Sequence, residues 1–328
     1  MERRALLKGL ALLGVGTIPF ANSWSRAVGR KMITAPTRPY HKFKLGDLSL
    51  TIITDGYIRL APIQPNFPNG SERAEHALLE QSFRSTKAMD LSMNILLIQK
   101  GKEFILIDTG TGGSFGEASG WMLQSMADAG IQKEAVTQII ISHAHPDHIG
   151  GLVKDGQLVF PNAQVHLSRI EHAFWMAAEQ DFSKSKFQDK KLLKTFTQNT
   201  QQVIRTLGNR LHLFENGTQL WDCVQLEIAP GHTPGHTITH IFSANERIVH
   251  LADLIHSDIL SVQHPEWGFN GDTDLELATR TRRAVLAKLT ASKTPIFAYH
   301  LPWPGTGHVR SKGTTFEWVP EVFAYPVS

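Results

Sequence analysis

Residues 142–151 read Ser142-His143-Ala144-His145-Pro146-Asp147-His148-Ile149-Gly150-Gly151. Four metal-binding side chains occupy six positions, in the pattern His-x-His-x-Asp-His. The preceding run, Gln138-Ile139-Ile140-Ile141-Ser142, reads as a short buried strand. On extended backbone alternate side chains share a face, so His143 and His145 can grip one ion together. Pro146 then turns the chain and aims Asp147 and His148 elsewhere, toward a second ion. Gly150-Gly151 permit a tight exit into the next element. Four specified residues in six are expected by chance far less than once in 328 residues, which makes the pattern a specific signal.

Working outward, apolar runs mark the flanking elements. Leu48 to Ile53 reads as a strand ended by Asp55-Gly56. Asn94–Gln99 and Phe104–Asp108 form a hairpin about Lys100-Gly101-Lys102. A helical pattern covers Phe115 to Ala129 and stops at Gly130. Residues 169–179 and 187–207 read as helices. Strands follow at Val224–Ala229, Thr237–Phe242 and Ile248–Ala252, then a helix from about Leu275 to Leu289 and a strand at Pro295–Tyr299. The hairpin closing at Asp108 is echoed by the one closing at Asp253. Two such halves suggest two sheets packed face to face with helices outside. No Pro/Gly/Ser linker separates them, so residues 30–328 read as one domain.

The loop Gly231-His232-Thr233-Pro234-Gly235-His236 follows an apolar strand. Asp253 ends the later hairpin, and His300 ends the strand Pro295–Tyr299. Four strand ends on one rim thus carry all the candidate ligands. Imidazoles and carboxylates are an ordinary ligand set for Zn²⁺.

Together His143-x-His145-x-Asp147-His148, His232, Asp253 and His300 resemble the metallo-β-lactamase superfamily, and more closely its methyl parathion hydrolase group. The resemblance runs through Ile107-Asp108-Thr109-Gly110, Phe160-Pro161-Asn162-Ala163, Ala252-Asp253-Leu254-Ile255 and His300 to His308-Val309-Arg310. It implies an α/β fold, the αββα sandwich, with two Zn²⁺ or other divalent ions per chain between the sheets. One ion takes His143, His145 and His232. The other takes Asp147, His148 and His300, and Asp253 bridges them. Asp108 supports the metal loop without binding metal. Cys223, the chain's single cysteine, matches no lactamase metal ligand and reads as a small buried side chain.

Such a site implies a hydrolase. Metal coordination lowers the pKa of bound water from 15.7 to roughly 7, and the resulting bridging hydroxide attacks an electrophilic centre. The sequence offers no nucleophile-elbow motif, against a serine hydrolase. Phe115 and Trp175 match the family's substrate-lining aromatics, whereas Leu192 and Leu193 stand where parathion hydrolases carry an aromatic. His256, three residues past Asp253, replaces a Tyr of the metal-dependent acyl-homoserine-lactone lactonases and an aliphatic residue of the parathion enzymes. An imidazole there can hydrogen-bond the substrate or protonate a leaving alkoxide, a catalytic role beside Asp253. Small esters are the expected substrates, lactones first. Phosphotriesters are the alternative, then β-lactams, with zinc binding without turnover last. His236, His240, His250, His264 and His308 read as supporting or structural.

Composition sets the outer bounds. Hydrophobic residues make up 41% and charged residues 19%, which excludes a disordered chain, a collagen and a coiled coil. Of 16 histidines, 14 follow position 140. The net charge of +3 resides in residues 1–27, where Arg3, Arg4, Lys8 and Arg26 face only Glu2; the remainder balances. A neutral remainder argues against a nucleic-acid partner. Residues 1–29 have signal-peptide proportions, a basic start and an apolar stretch from Gly9 to Ala21, and Arg3-Arg4 resembles the twin-arginine export signal. The chain is therefore expected to be periplasmic or secreted, without a membrane association once the leader is removed. The resembled enzymes imply a homodimer acting on a small molecule.

Overall fold

The computed structural model describes residues 38–322. The leader read over residues 1–29 lies outside the described residues. Two seven-stranded sheets form the frame. The first comprises β1 (Tyr40–Leu45), β2 (Leu48–Leu60), β3 (Met89–Lys100), β4 (Glu103–Ile107), β5 (Gln138–Ile141), β8 (Gln164–Ser168) and β9 (Leu211–Phe214), in that spatial order. A small hairpin, β6 (Val153–Lys154) and β7 (Gln157–Leu158), stands apart. The second sheet runs β10 (Gln219–Leu220), β11 (Val224–Ile228), β12 (Thr237–Ser243), β13 (Glu246–His250), β14 (Ile296–Phe297), β15 (Thr306–Lys312) and β16 (Thr315–Pro320).

The expected echo between the halves is present in the strand pairing. In the first sheet the antiparallel pair β3–β4 is followed by β5, parallel to β4. In the second, antiparallel β12–β13 is followed by parallel β14. Where β4, β5 and β14 pair in parallel they carry the buried runs Ile105–Ile107, Ile139–Ile141 and Ile296–Phe297, apolar because both faces are covered. Ile105 and Ile107 of β4 face Val224, Leu226, Ile241 and Phe297 across the sandwich. Leu106, between them, faces outward with Ile139 and Ile141 onto a helical layer. That layer includes α2 (Met122–Asp128), α4 (Arg169–Met176) and α5 (Lys190–Leu207); α3 (Pro146–Ile149) is the short turn carrying the metal motif. On the opposite side α7 (Leu275–Ser292) packs Val285, Leu286 and Leu289 against Ile238, Val249 and Ile296. Asp189 and Asp274 start α5 and α7 by accepting the backbone N–H of Leu192 and Leu277. The layers are thus α, β, β, α.

Several boundaries differ from the expectation. The strand begun at Leu48 continues to Leu60, because a register slip between Thr54 and Tyr57 absorbs Asp55-Gly56 rather than ending the strand. The helix expected over Phe115–Ala129 is only Met122–Asp128. The chain before it is held in turns by the buried Asp55 carboxylate, which accepts from Thr111 N, Thr111 Oγ1 and Met122 N. The strand expected over Pro295–Tyr299 pairs only at Ile296–Phe297; Ala298 to Leu301 leave the sheet, with Asn94 Nδ2 donating to Ala298 and Leu301 carbonyls. Helix α1 (Glu72–Gln81), not expected from the sequence, joins α6 (Leu260–Gln263) in a separate small cluster of Phe67, Leu79, Ile259, Leu260 and Trp267.

Glu75 of α1 is fully buried and neither carboxylate oxygen has a partner. Burial pushes its carboxyl up to about 7, reinforced by Glu72. A carboxyl whose pKa is raised on folding stabilises the fold below its unfolded pKa. That contribution is lost as pH rises through the folded value. Glu75→Gln is therefore expected to raise stability at pH 8 by about 1–3 kcal/mol, the cost of ionising the buried carboxyl at about 1.4 kcal/mol per pKa unit, and to change little at pH 4, where both side chains are neutral. Urea midpoints at the two pH values check this; equal gains at both would remove the titration from the account.

Candidate metal centre

The site lies at the carboxyl ends of the parallel strands, where the backbone leaves both sheets and side chains can converge between them. Asp108 follows β4, His143–His148 follow β5, His232 sits between β11 and β12, Asp253 follows β13 and His300 follows β14. The structure brings seven of the residues expected as ligands to one place. Ligand atoms of His143, His145 and His232 lie within 4.8 Å of one another, as do those of Asp147, His148, Asp253 and His300. Asp253 joins the groups: its Oδ2 is 3.7 Å from His143 Nε2 and 3.2 Å from the Nε2 of both His232 and His300.

The far side of most rings is anchored, which sets which nitrogen faces inward. His148 Nδ1 donates to Asp108 Oδ2 at 2.9 Å, and His232 Nδ1 to Asp272 Oδ1 at 2.8 Å. His300 Nδ1 donates to the Ser92 carbonyl. His143 Nδ1 lies 3.1 Å from Ser142 Oγ, whose hydroxyl donates to Asp108. These four rings therefore present Nε2 to the centre, whereas His145 presents Nδ1, 3.1 Å from His143 Nε2 and 2.9 Å from His232 Nε2. Asp108, with a positive φ of 64°, also accepts the Ser142 N–H and so ties the end of β4 to the start of the metal loop.

The arrangement fits a pair of divalent ions. Three imidazole nitrogens converge at hydrogen-bond distance, with His145 Nδ1 between His143 Nε2 and His232 Nε2. His148 Nε2 and Asp253 Oδ1 lie 3.0 Å apart, buried, yet neither is hydrogen-bonded. The electrostatics agree. Burial presses His232 toward neutrality, but Asp253 and Asp272 outweigh it and hold the ring at about 9. Asp253 and Asp147 do the same for His300. Burial raises the Asp253 carboxyl, while His148, His300 and His143 overcome it and hold it well below the usual range. The carboxylates demand positive charge, which protons or metal cations supply.

Three supports were not legible in the sequence. Glu171 of α4, fully buried, accepts from Ala144 N, Trp175 Nε1, Thr233 Oγ1 and Gly235 N. It thereby clamps both histidine loops to one helix. Asp272 orients His232 and is itself bonded by the Phe269 N–H. Tyr299 lays its ring over His148, centroids 4.1 Å apart, and donates to the Asp147 carbonyl. A buried acid in Arg169-Ile-Glu171 carries no spacing signal, since its partners come from two distant loops. Gly150-Gly151 proves to serve close packing: a Cβ at Gly151 would collide with the Thr109 carbonyl, and one at Gly150 with that of Thr111.

The other named residues fall at varied distances. His236 holds Asp253 from behind, donating from Nδ1 to the Ala229 carbonyl and accepting the Asp253 N–H at Nε2. His256 is buried; its Nε2 is 3.2 Å from Asp253 Oδ2, its ring stacks on Phe269 at 3.8 Å, and Nδ1 has no partner. Trp175 is buried rather than lining an open surface, its ring 5.7 Å from that of His145. Phe115 is half-buried beside Phe196 of α5. Leu192 is partly exposed at the start of α5. His240 pairs with Glu227 and His264 with Glu266, both away from the centre. Cys223 is buried in the core between the sheets.

A sandwich with two strand-end clusters of His and Asp, joined by one carboxylate, defines a metal-dependent hydrolase. The chain belongs to the metallo-β-lactamase superfamily, whose sequence model matches residues 89–300. Among solved structures it is similar to AidC, described as a dizinc quorum-quenching lactonase in complex with a product, N-hexanoyl-L-homoserine. The identity is 41% and the TM-score 0.85, over 87% of this chain and 98% of that one. It is also similar to the hydrolase AbOPH of the β-lactamase superfamily, at 30% identity and TM-score 0.81, over 89% and 100% of the two chains. A probable metal-dependent hydrolase from Staphylococcus aureus shares the fold at 19% identity and TM-score 0.69, over 86% and 100% of the two chains. No match was found among curated proteins.

Proposed function

We propose that the protein is a dizinc lactonase that opens acyl-homoserine lactones. The observation that carries this is the pair of clusters joined by Asp253, together with the 41% identity to a dizinc lactonase. His143, His145 and His232 would hold one ion, Asp147, His148 and His300 the other, with Asp253 between them. An imidazole and carboxylate set of this kind suits Zn²⁺. Bound ions supply Lewis acidity and a water that ionises near pH 7. The chain's own groups do the rest. Asp108, Asp272, Ser142 and the Ser92 carbonyl lock the ring orientations. Glu171 and His236 hold the loops in register.

His256 touches both Asp253 and a cavity of about 190 Å³ that also reaches His300. Burial lowers its pKa to about 4, so the ring is neutral at pH 7. A neutral imidazole there offers a hydrogen bond to the substrate or its leaving oxygen rather than a charge. The export signal read over residues 1–29 would place this activity in the periplasm, on lactones that diffuse through it.

The test is acid release from hexanoyl-homoserine lactone by the metal-loaded protein in weak buffer. Turnover is expected, abolished by EDTA and restored by zinc. His256→Ala is expected to lower kcat/KM by about tenfold, the effect of losing one hydrogen bond of about 1.4 kcal/mol. A change within twofold removes His256 from the mechanism. If the loaded protein leaves lactones intact and cleaves a phosphotriester, the parathion-hydrolase alternative replaces this reading.

A further inference from the structure

Two cavities meet beside the metal centre and share one wall. The smaller, about 190 Å³, opens on His256 and His300 and is lined with Leu79, Ala88, Met89 and Ile259. The larger, about 330 Å³, is lined with Pro302, Trp303, Pro304, Trp318 and Pro320. Arg84, Asp258, Ile259 and Pro302 belong to both. The polar part of this shared wall is an ion pair, Arg84 Nη2 donating to Asp258 Oδ2 at 3.1 Å.

That pair is suited to yielding. The Arg84 side chain is 50% exposed, and an ion pair with one member this open to water is held weakly. Arg84 lies in the connection between α1 and β3, which has no regular structure from Ser82 to Ala88. Asp258 stands two residues beyond His256. The partition is therefore a weak contact laid across a passage that begins at the metal centre and whose walls combine apolar side chains with polar ones such as Asp90, Ser257, Gln263 and Glu317.

We propose that the smaller cavity receives the first carbons of a lactone's acyl chain, and that the Arg84–Asp258 pair is a displaceable partition through which longer chains reach the larger, tryptophan-lined cavity. This rests on the lactonase reading above and names its preferred substrates: lactones with long, unbranched acyl chains. Arg84 can turn its guanidinium to water while the chain covers Ile259 and Pro302; Asp258, 16% exposed, then loses its partner, so only chains long enough to offset that cost pass. Each methylene so buried improves binding by about fourfold.

The experiment compares butanoyl-, octanoyl- and dodecanoyl-homoserine lactone in kcat/KM, and the affinity of the three ring-opened products by calorimetry on zinc-loaded protein. The double variant Arg84→Ala/Asp258→Ala removes the partition without stranding a charge. It is expected to raise the dodecanoyl-to-butanoyl ratio by about fivefold in both measurements, with butanoyl values within twofold of wild type. Trp318→Ala, in the larger cavity alone, is expected to lower the ratio by about the same factor, since it strips apolar cover from the chain's end. If wild type turns over all three lactones and neither variant moves the ratio, the partition is overturned and the lactonase reading stands. If wild type turns over none, both fall.

Discussion

Asp253→Asn is expected to lower kcat/KM by about 10²–10³-fold, the range seen when a positioned electrostatic group is removed from an active site. The carboxylate faces five imidazoles. Oδ1 is 3.0 Å from His148 Nε2, and Oδ2 lies at 3.2 Å from His232, His256 and His300 and 3.7 Å from His143. These neighbours hold it ionised against its burial. An amide keeps the shape but removes the charge, and it turns one oxygen into an N–H₂ group that cannot face a cation. Two ions would then repel across an uncharged bridge, and at least one should be lost. Metal content after desalting and kcat/KM at saturating zinc check the two parts separately. The backbone of residue 253 is held by His236, so circular dichroism should match wild type. A variant that keeps two ions and near-normal turnover would show that Asp253 does not bridge.

Glu171→Leu is expected to be the most damaging change outside the ligand set. Its carboxylate serves four buried donors, and a leucine would leave all four without an acceptor. Each buried unmade bond costs about 1–3 kcal/mol, and the donors share one carboxylate, so the total falls short of the sum. The expected loss is about 3–5 kcal/mol, the upper end for a single substitution that breaks a buried hydrogen-bond network. The functional loss should exceed the thermodynamic one. Ala144 lies between His143 and His145, while Thr233 and Gly235 come just after His232, so the first ion's three ligands would lose their common anchor. Zinc affinity should fall even at temperatures where the chain remains folded. Glu171→Gln should fall between, since an amide still accepts at one end but opposes the donors with its own N–H at the other. Urea unfolding and competitive chelation measure the two effects. A Leu variant within about 1 kcal/mol of wild type would contradict the clamp.

The convergence of the seven candidate residues was legible because their chemistry is local: His-x-His-x-Asp-His is a six-residue pattern, and His232, Asp253 and His300 each end an apolar run. The parallel strands β4, β5 and β14 were legible for the same reason, as uninterrupted apolar residues signal burial on both faces, whereas β8 and β9, interrupted by His166 and His212, were not. The features that the sequence hid depend on long-range pairing. Glu171, Asp272 and Ser92 acquire their meaning only from loops brought beside them, and none stands in a distinctive pattern. The helix expected from Phe115 failed because Asp55, some sixty residues earlier, holds Thr111 and Met122 in a turn. Helix α1 was missed because its apolar face is narrow and covers a small side cluster, not the main core. Trp175 has the right spacing for a substrate-lining aromatic, yet its indole is spent on Glu171 behind His145.

The strand-end origin of the ligands has a mechanical consequence. This chain has a single cysteine and so no internal disulfide. Ions held by His143, His145, His232, Asp147, His148 and His300 would join segments remote in sequence, one from each half of the sandwich. They would act as covalent cross-links do, restricting the unfolded chain by closing loops of the order of 100 residues, for which a disulfide contributes about 4–5 kcal/mol. The catalytic centre would then double as the staple of the fold. Stripping the ions would silence the enzyme and also free its two halves to part, so that sensitivity to proteases should track zinc occupancy as closely as turnover does.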